Sequence, residues 1–191
     1  MIRVTVESVR DRLSRRDPVT APLAGRTEAA VALLLSPGRI GLDLLLIRRA
    51  ERMGDPWSGQ MGLPGGRRDA ADVDLIATAV RETREEIGLD LSGAELLGQL
   101  DDLAPTIEHL PRMLVRPYVF AVGDKPELLL SEEVALTLWT GLETLSAAVV
   151  EETIMVREWR RSVTGYRLGP HLVWGMTERI LKPFMELTGV V

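Results

Sequence analysis

Apolar residues fall along this chain in short runs broken by turn residues, with one clear helical repeat between them. Residues 29–35 and 42–47 are apolar runs separated by Ser36-Pro37-Gly38, and they predict a strand, a turn and a strand. Residues 48–66 follow, rich in Gly, Pro and Arg, and read as a loop with one short extended piece at Met61-Gly62-Leu63. Over 74–87, Leu75, Ala79, Thr83 and Ile87 form an i, i+4 row with Ile76 and Val80 beside it, which predicts a helix. Asp72 or Asp74 can cap its start, and Gly88 stands where a left-handed C-terminal cap is wanted. Residues 96–100, 113–122 and 128–130 are strand-like, 131–145 is mixed, and 143–150 is expected to be helical. A further strand is expected over 166–173 and a closing amphipathic helix over 175–187. The opening segment predicts a short charged helix over 7–16, ended by Asp17-Pro18, within an N-terminal helical extension over 1–25. Strands alternating with helices over 191 residues predict a single domain, 1–191, with an α/β or α+β sandwich.

Composition narrows the chemistry. The absence of cysteine removes thiolate catalysis, disulfide frameworks and cysteine-based zinc sites together. The two histidines, His109 in a Pro-flanked loop and His171 in an expected strand, are too few for a multi-histidine centre, and neither is a candidate catalyst. Any metal must rely on oxygen ligands, which favours Mg²⁺, Mn²⁺ or Ca²⁺. The start has no apolar signal core and no run reaches transmembrane length, so a cytoplasmic protein with no membrane partner is expected. A formal net charge of −5 argues against a nucleic acid polymer as partner. It leaves a small anionic substrate open, because bound metal and local arginines can invert the field at a site.

The informative stretch is Arg81-Glu82-Thr83-Arg84-Glu85-Glu86-Ile87-Gly88. At about 100° per residue, Glu82 and Glu86 lie one turn apart on one face, with Glu85 about 60° away. Like charges at this spacing repel, yet clustered hard oxygens are what divalent cations need. Arg81 can pair with Glu85 at i+4. A solvated charged face is the plain alternative, and two neighbours argue against it. Leu63-Pro64-Gly65-Gly66 upstream turns the backbone sharply and offers bare peptide groups to a ligand, and Gly88 stops the helix just past the last acid.

At these residues the chain resembles the Nudix box, G-x5-E-x7-R-E-U-x-E-E-x-G-U, with U a bulky apolar residue. Arg81, Glu82, Glu85, Glu86, Gly88 and Leu89 match its second half, and Thr83 occupies a U position. The spacing from Gly66 to Arg81 is one residue longer than the pattern, which puts Val73 at the early acid and leaves Asp72 or Asp74 to replace it. Within the family the chain looks most like the coenzyme A pyrophosphatases, which share the longer spacing and the Thr-Ala-x-Arg-Glu run seen at 78–82. Leu45, Leu46, Arg49, Ala50, Gly59, Pro64, Gly65 and Gly66 fit that group's upstream signature. Leu63 replaces its Phe, Gly54 falls at its second Arg, and 55–58 is one residue too long. Leu100-Asp101-Asp102-Leu103 and Trp174-Gly175-Met176-Thr177 also look like stretches of the group.

The resemblance implies an α/β/α sandwich with a mixed sheet between helices, and a Mg²⁺- or Mn²⁺-dependent hydrolase of a nucleotide diphosphate. Glu82, Glu85 and Arg81 are the implied catalytic residues, and Glu82 is the preferred general base, although ligand and base cannot be separated by sequence. Glu82, Glu85 and Glu86 would hold metal, with Gly65 or Gly66 adding a carbonyl. Glu133 is the candidate carboxylate from outside the box, its alternative being an exposed loop acid. Arg49, Arg52, Arg67 and Arg68 flank the glycines and could grip phosphates bidentately, the alternative for each being a solvated surface role. Trp57 could stack on a base, with cover for the core the preferred role. The row Trp174, Thr177, Leu181 and Phe184 is read as core or dimer packing, and a homodimer is expected. Substrates open within the family are coenzyme A, a nucleotide sugar, a dinucleoside polyphosphate or a nucleoside triphosphate. A silent nucleotide-sensing module is the reading from another class.

Overall fold

The computed structural model describes residues 3–106, 111–156 and 159–190, so His109 lies outside the described residues. The two apolar runs form β1 (Thr27–Pro37) and β2 (Leu42–Arg49). Leu33 and Leu35 of β1 join Leu44 and Leu46 of β2 in one apolar layer, while Ala32, Leu34, Leu45 and Ile47 enter another. Strands apolar on both faces need cover on both sides. One layer is closed by α2 (Leu75–Ile87). The other is closed by α1 (Val6–Ser14), α3 (Leu142–Ala147) and α4 (Met176–Thr188). The expected α/β/α sandwich is the fold observed.

The sheet is mixed. β6 (Met113–Ala121) runs parallel to β1, β5 (Glu95–Gln99) pairs antiparallel with β6, and β7 (Val134–Gly141) pairs antiparallel with β2. β1 and β2 pair only near their turn, from Leu35–Leu44 to Pro37–Leu42, and then diverge. Two short strands take up the groups left free. β3 (Met61–Gly62) pairs with Ile47 and Arg48 of β2, and β4 (Gly65–Arg67) pairs with Ala29 to Val31 of β1. Between them Pro64 accepts a hydrogen bond from the Ala32 amide at 2.8 Å. The segment expected to be mostly loop is therefore laced into the sheet, and this fixes where its glycines stand.

α2 forms as its ends dictate. Asp74 caps the start, accepting from the Ala77 amide at 2.7 Å, and Gly88 ends it at φ 69°, a left-handed conformation that costs glycine little. Thr83 is buried, and its hydroxyl donates to the Ala79 carbonyl at 2.7 Å, so a polar residue at this apolar position leaves nothing unpaired.

Several expectations change. Residues 128–130 are not a strand. Instead the Leu129 and Ser131 amides donate to the Ile87 and Glu86 carbonyls, giving α2's C-terminal end partners outside the helix. The helix expected over 143–150 is α3, and it gives way to β8 (Val149–Val156), where β-branched residues take over. The strand expected over 166–173 is two strands turned at Gly169-Pro170, the end of β9 (Trp159–Leu168) and β10 (His171–Trp174). These three form a second antiparallel sheet in the order β10-β9-β8. Asp101 and Asp102 hold the N-terminal arm, accepting from the Val19 and Ala21 amides at 2.8 and 2.9 Å. No helix among the described residues is long and apolar enough to cross a membrane.

Candidate active site

Where β1 and β2 splay, a cleft of about 520 Å³ opens. Its polar wall includes Gly65, Gly66, Arg49, Arg67, Glu82, Glu86 and Glu133, and its apolar wall includes Trp57, Met61, Met113, Met176 and Ile180. β4 brings the two glycines against α2 at the level of the acids. A Cβ on Gly66 would overlap the Glu82 carboxylate, so a side chain here would push that acid from its place beside β4. The Gly65 amide donates to Glu86 Oε2 at 2.9 Å.

The three glutamates differ in environment. Glu86 is 3% exposed and Glu82 16%, both facing the cleft, while Glu85 is 59% exposed at solvent. Burial pushes the Glu86 carboxyl up to about 7, against the Gly65 hydrogen bond and the Arg49 guanidinium 3.7 Å away, which favour its charged form. Burial also raises the Glu82 carboxyl, partly offset by Arg81. Two buried acids strained toward the neutral form suit a hard divalent cation, which would restore their charge. Among the described residues no group of three or more acidic or histidine side chains is already arranged to hold a metal ion; Glu82 and Glu85 instead share the Arg81 guanidinium.

Arg81 is the hub of this surface. Its guanidinium donates to both oxygens of Asp72 at 3.0 Å, to the Arg67 carbonyl at 3.0 Å, and to Glu82 and Glu85 at 2.9 Å each. Asp72 is itself buried and accepts from Thr78 Oγ1 and the Asp69 amide at 2.9 Å, and these donors, Arg81 foremost, hold its carboxyl well below the usual range. Asp72, not Asp74, thus meets the box arginine. Helix, loop and β4 are tied together by one cation.

The flanking arginines separate. Arg49 and Arg67 line the cleft, with Arg49 held by Asp55 at 2.8 Å. Arg52 donates to Glu133 at 3.0 Å on the rim. Arg68 does not line the cleft; it pairs with Glu28 at 2.9 Å and reaches the Asp72 and Val73 carbonyls. Trp57 both packs on the core and lines the cleft. Leu181 and Phe184 are core as expected, whereas Thr177 lines the cleft, its hydroxyl donating to the Met61 carbonyl at 3.2 Å. The apolar wall from Met113, Met176 and Ile180 was not foreseen; the Trp174–Thr177 stretch of the resemblance was its one signal. His171, in β10, does not line the cleft.

Burial of Glu86 gives a pH prediction for the metal-free protein. Its carboxyl titrates near 4.5 when unfolded and about 7 when folded, so the folded state holds the extra proton between these values. Stability should therefore fall as pH rises from about 4.5 to about 7, by on the order of 3 kcal/mol from this group. Thermal midpoints in a chelating buffer check it. The Glu86→Gln variant should lose most of that slope, and an unchanged slope would refute the assignment.

The NUDIX domain model matches residues 25–159. The chain is 42% identical over 107 residues to an uncharacterised protein of Schizosaccharomyces pombe, covering 53% of this chain but only 32% of that one, so it spans about a third of that relative. It is 33% identical over 178 residues to the mitochondrial coenzyme A diphosphatase of Homo sapiens, covering 88% of this chain and 72% of the relative. The crystal structure of a Nudix hydrolase from M. smegmatis superposes with a TM-score of 0.55 at 17% identity, over 87% of this chain and 88% of that one, which supports the fold. The acids that α2 turns toward the diglycine strand therefore sit on a scaffold with a known use, and the chain belongs to the Nudix family as a pyrophosphate-cleaving hydrolase.

Proposed function

We propose that this enzyme cleaves the diphosphate of coenzyme A or its derivatives, giving adenosine 3′,5′-bisphosphate and 4′-phosphopantetheine, with Mg²⁺ or Mn²⁺. The observation that carries this reading is the likeness to the human coenzyme A diphosphatase along 88% of the chain. The cleft supports it, since a polar wall suited to a diphosphate faces an apolar wall suited to an uncharged arm.

Glu82 and Glu86 would hold the metal, with Glu85 and the Gly66 carbonyl completing an oxygen-only set. When bound, the cation supplies charge neutralisation on the phosphoryl oxygens. Water attacks one phosphorus, the anhydride P–O bond breaks, and the departing phosphate takes the electron pair. Glu82, made more basic by burial, accepts the water proton. Glu133 is the additional carboxylate at the rim. Arg49 and Arg67 would grip the phosphates, and Arg52 would join them on leaving Glu133. Arg68, engaged elsewhere, would not. Arg81 is a positioning residue, because its donors are committed to Asp72, the acids and β4. A cytoplasmic site of action and a homodimeric state complete the proposal.

A rival substrate within the family, such as a nucleotide sugar, a dinucleoside polyphosphate or a nucleoside triphosphate, is favoured by Leu63 and Gly54, which depart from the coenzyme A signature. A silent sensor is disfavoured, since a pure binder has no use for Glu82, Glu85 and Glu86 together. The test compares kcat/KM for coenzyme A, dephospho-coenzyme A, a nucleotide sugar and a nucleoside triphosphate under one Mg²⁺ condition. Activity should vanish with a strong chelator. A contact to the 3′-phosphate contributes on the order of 1.5–3 kcal/mol, so dephospho-coenzyme A should lose roughly 10- to 100-fold. Arg67→Ala should erase that preference. A nucleotide sugar cut faster than coenzyme A, with no 3′-phosphate effect, would overturn the substrate and leave the family standing.

A further inference from the structure

β8 is the open edge of the small sheet, hydrogen-bonded to β9 on one side and to no described strand on the other. Its sequence, Val-Val-Glu-Glu-Thr-Ile-Met-Val, contains no Pro or Lys, and its charged residues, Glu151 and Glu152, stand together in its first half. Val149, Met155 and Trp159, three large apolar side chains left exposed, belong to this one hairpin, and Trp159 is 72% exposed. An edge this long and β-prone invites a strand.

We propose that β8 pairs antiparallel with β8 of a second copy of this chain about a two-fold axis, joining two three-stranded sheets into one. Charge along the hairpin selects this occupant. Glu151 and Glu152 lie in the first half of β8, while Arg160 and Arg161 lie beside its second half, opposite Met155 and Ile154. Reversing one hairpin against another therefore sets acid against base. Among the described residues Glu151, Arg160 and Arg161 have no ion-pair partner in their own chain, whereas Glu152 is held by Arg167 at 2.8 Å.

Symmetry restricts the register, and the charges choose within it. About a two-fold axis normal to the sheet, directly opposed residues share a face, so the two members of a pair are both even- or both odd-numbered. An axis at Glu151 or Glu152 would oppose a glutamate to itself, which is destabilising. An axis at Thr153 opposes threonine to threonine, Val150 to the partner's Val156, Glu151 to the partner's Met155 and Glu152 to the partner's Ile154. Met155 neighbours Arg160 in its own hairpin. Glu151 then stands two strands from the partner's Arg160 on the same face, about 9.5 Å, a gap the two long side chains span. Two-fold symmetry makes that contact twice.

Sedimentation of the full chain over a concentration series tests this, and the expected result is a monomer–dimer equilibrium. Thr153→Lys sets two ammonium groups face to face at the axis and should leave a monomer with an unchanged thermal midpoint and unchanged hydrolytic activity. Glu151→Arg alone should weaken the dimer by roughly 10-fold or more in Kd, and adding Arg160→Glu should restore it. A wild-type chain monomeric throughout would overturn the proposal, as would a dimer that survives Thr153→Lys or a double variant no tighter than the single. An edge that takes up an extended foreign peptide while the chain stays monomeric would overturn it equally.

Discussion

Glutamine in place of Glu86 or Glu82 is expected to cut turnover by at least ~10²-fold while the fold survives, the size that loss of a general base alone can reach. The two acids should fail for different reasons. Glu86 is nearly sealed between α2 and β4, with the Gly65 amide on one oxygen. A glutamine carbonyl can keep that hydrogen bond, so geometry persists while the charge that would attract a cation is gone. The expected signature is weakened metal dependence together with a metal-free protein that is more stable near neutral pH, because a buried charge has been removed. Glu82 lies closer to the cleft surface, and its substitution should lower kcat more than it weakens metal binding if it takes the water proton. Glu95→Gln is the control. Glu95 pairs with Arg10 on the surface, so its loss should leave activity near wild type. Steady-state rates across a Mg²⁺ titration, with circular dichroism to confirm folding, separate these cases. Equal activity in all three variants would return the acidic face to simple solvation.

What could be read in advance follows physical rules of unequal reach. α2 was legible because its signals are local: the i, i+4 row, an aspartate cap at 72 or 74, the Gly88 stop and acids one turn apart are all properties of nearby residues. The sandwich was legible in the alternation of strands and helices, and its α/β/α form in the family resemblance; the physical demand behind it is that strands apolar on both faces need helices on both. The arginines were not separable, because Arg67 and Arg68 diverge only through strand alternation and β4 had been read as loop. Arg67 therefore lines the cleft while Arg68 turns toward Glu28. Asp72 and Asp74 were likewise equivalent on paper, and only the fold of the loop hands one to Arg81 and the other to the helix start. The hairpin of β8 and β9 left almost no trace, because two glutamates interrupt its apolar positions and little of it is packed on the core. A strand that buries little writes little into its sequence. The apolar wall of the cleft brings together Met61, Met113 and Met176, residues far apart along the chain.

The diglycine strand gives the largest expected effect on stability. Gly65→Ala should destabilise the protein by about 3 kcal/mol or more, the upper end of overpacking costs, and abolish activity with it. At φ 151° Gly65 adopts a conformation that L side chains rarely take. An added Cβ would also overlap the Ala30 carbonyl oxygen and lie 2.6 Å from the Val31 Cα, both backbone atoms of a central strand that cannot swing aside. Relief would require β4 to move off β1, breaking the pairing of Gly65 with Val31 and of Gly66 with Ala30. That movement would carry the Gly65 amide away from Glu86 and the Arg67 carbonyl away from Arg81, so both links between the strand and the acidic helix would fail together. Gly93→Ala is the matched control, because nothing lies within 4 Å of its added Cβ, and it should be neutral within about 0.5 kcal/mol. Denaturant midpoints with unchanged slopes would measure both. If Gly65→Ala were as stable as Gly93→Ala, the close approach of β4 to β1 would be wrong, and with it the placement of the diglycine against Glu82 and Glu86.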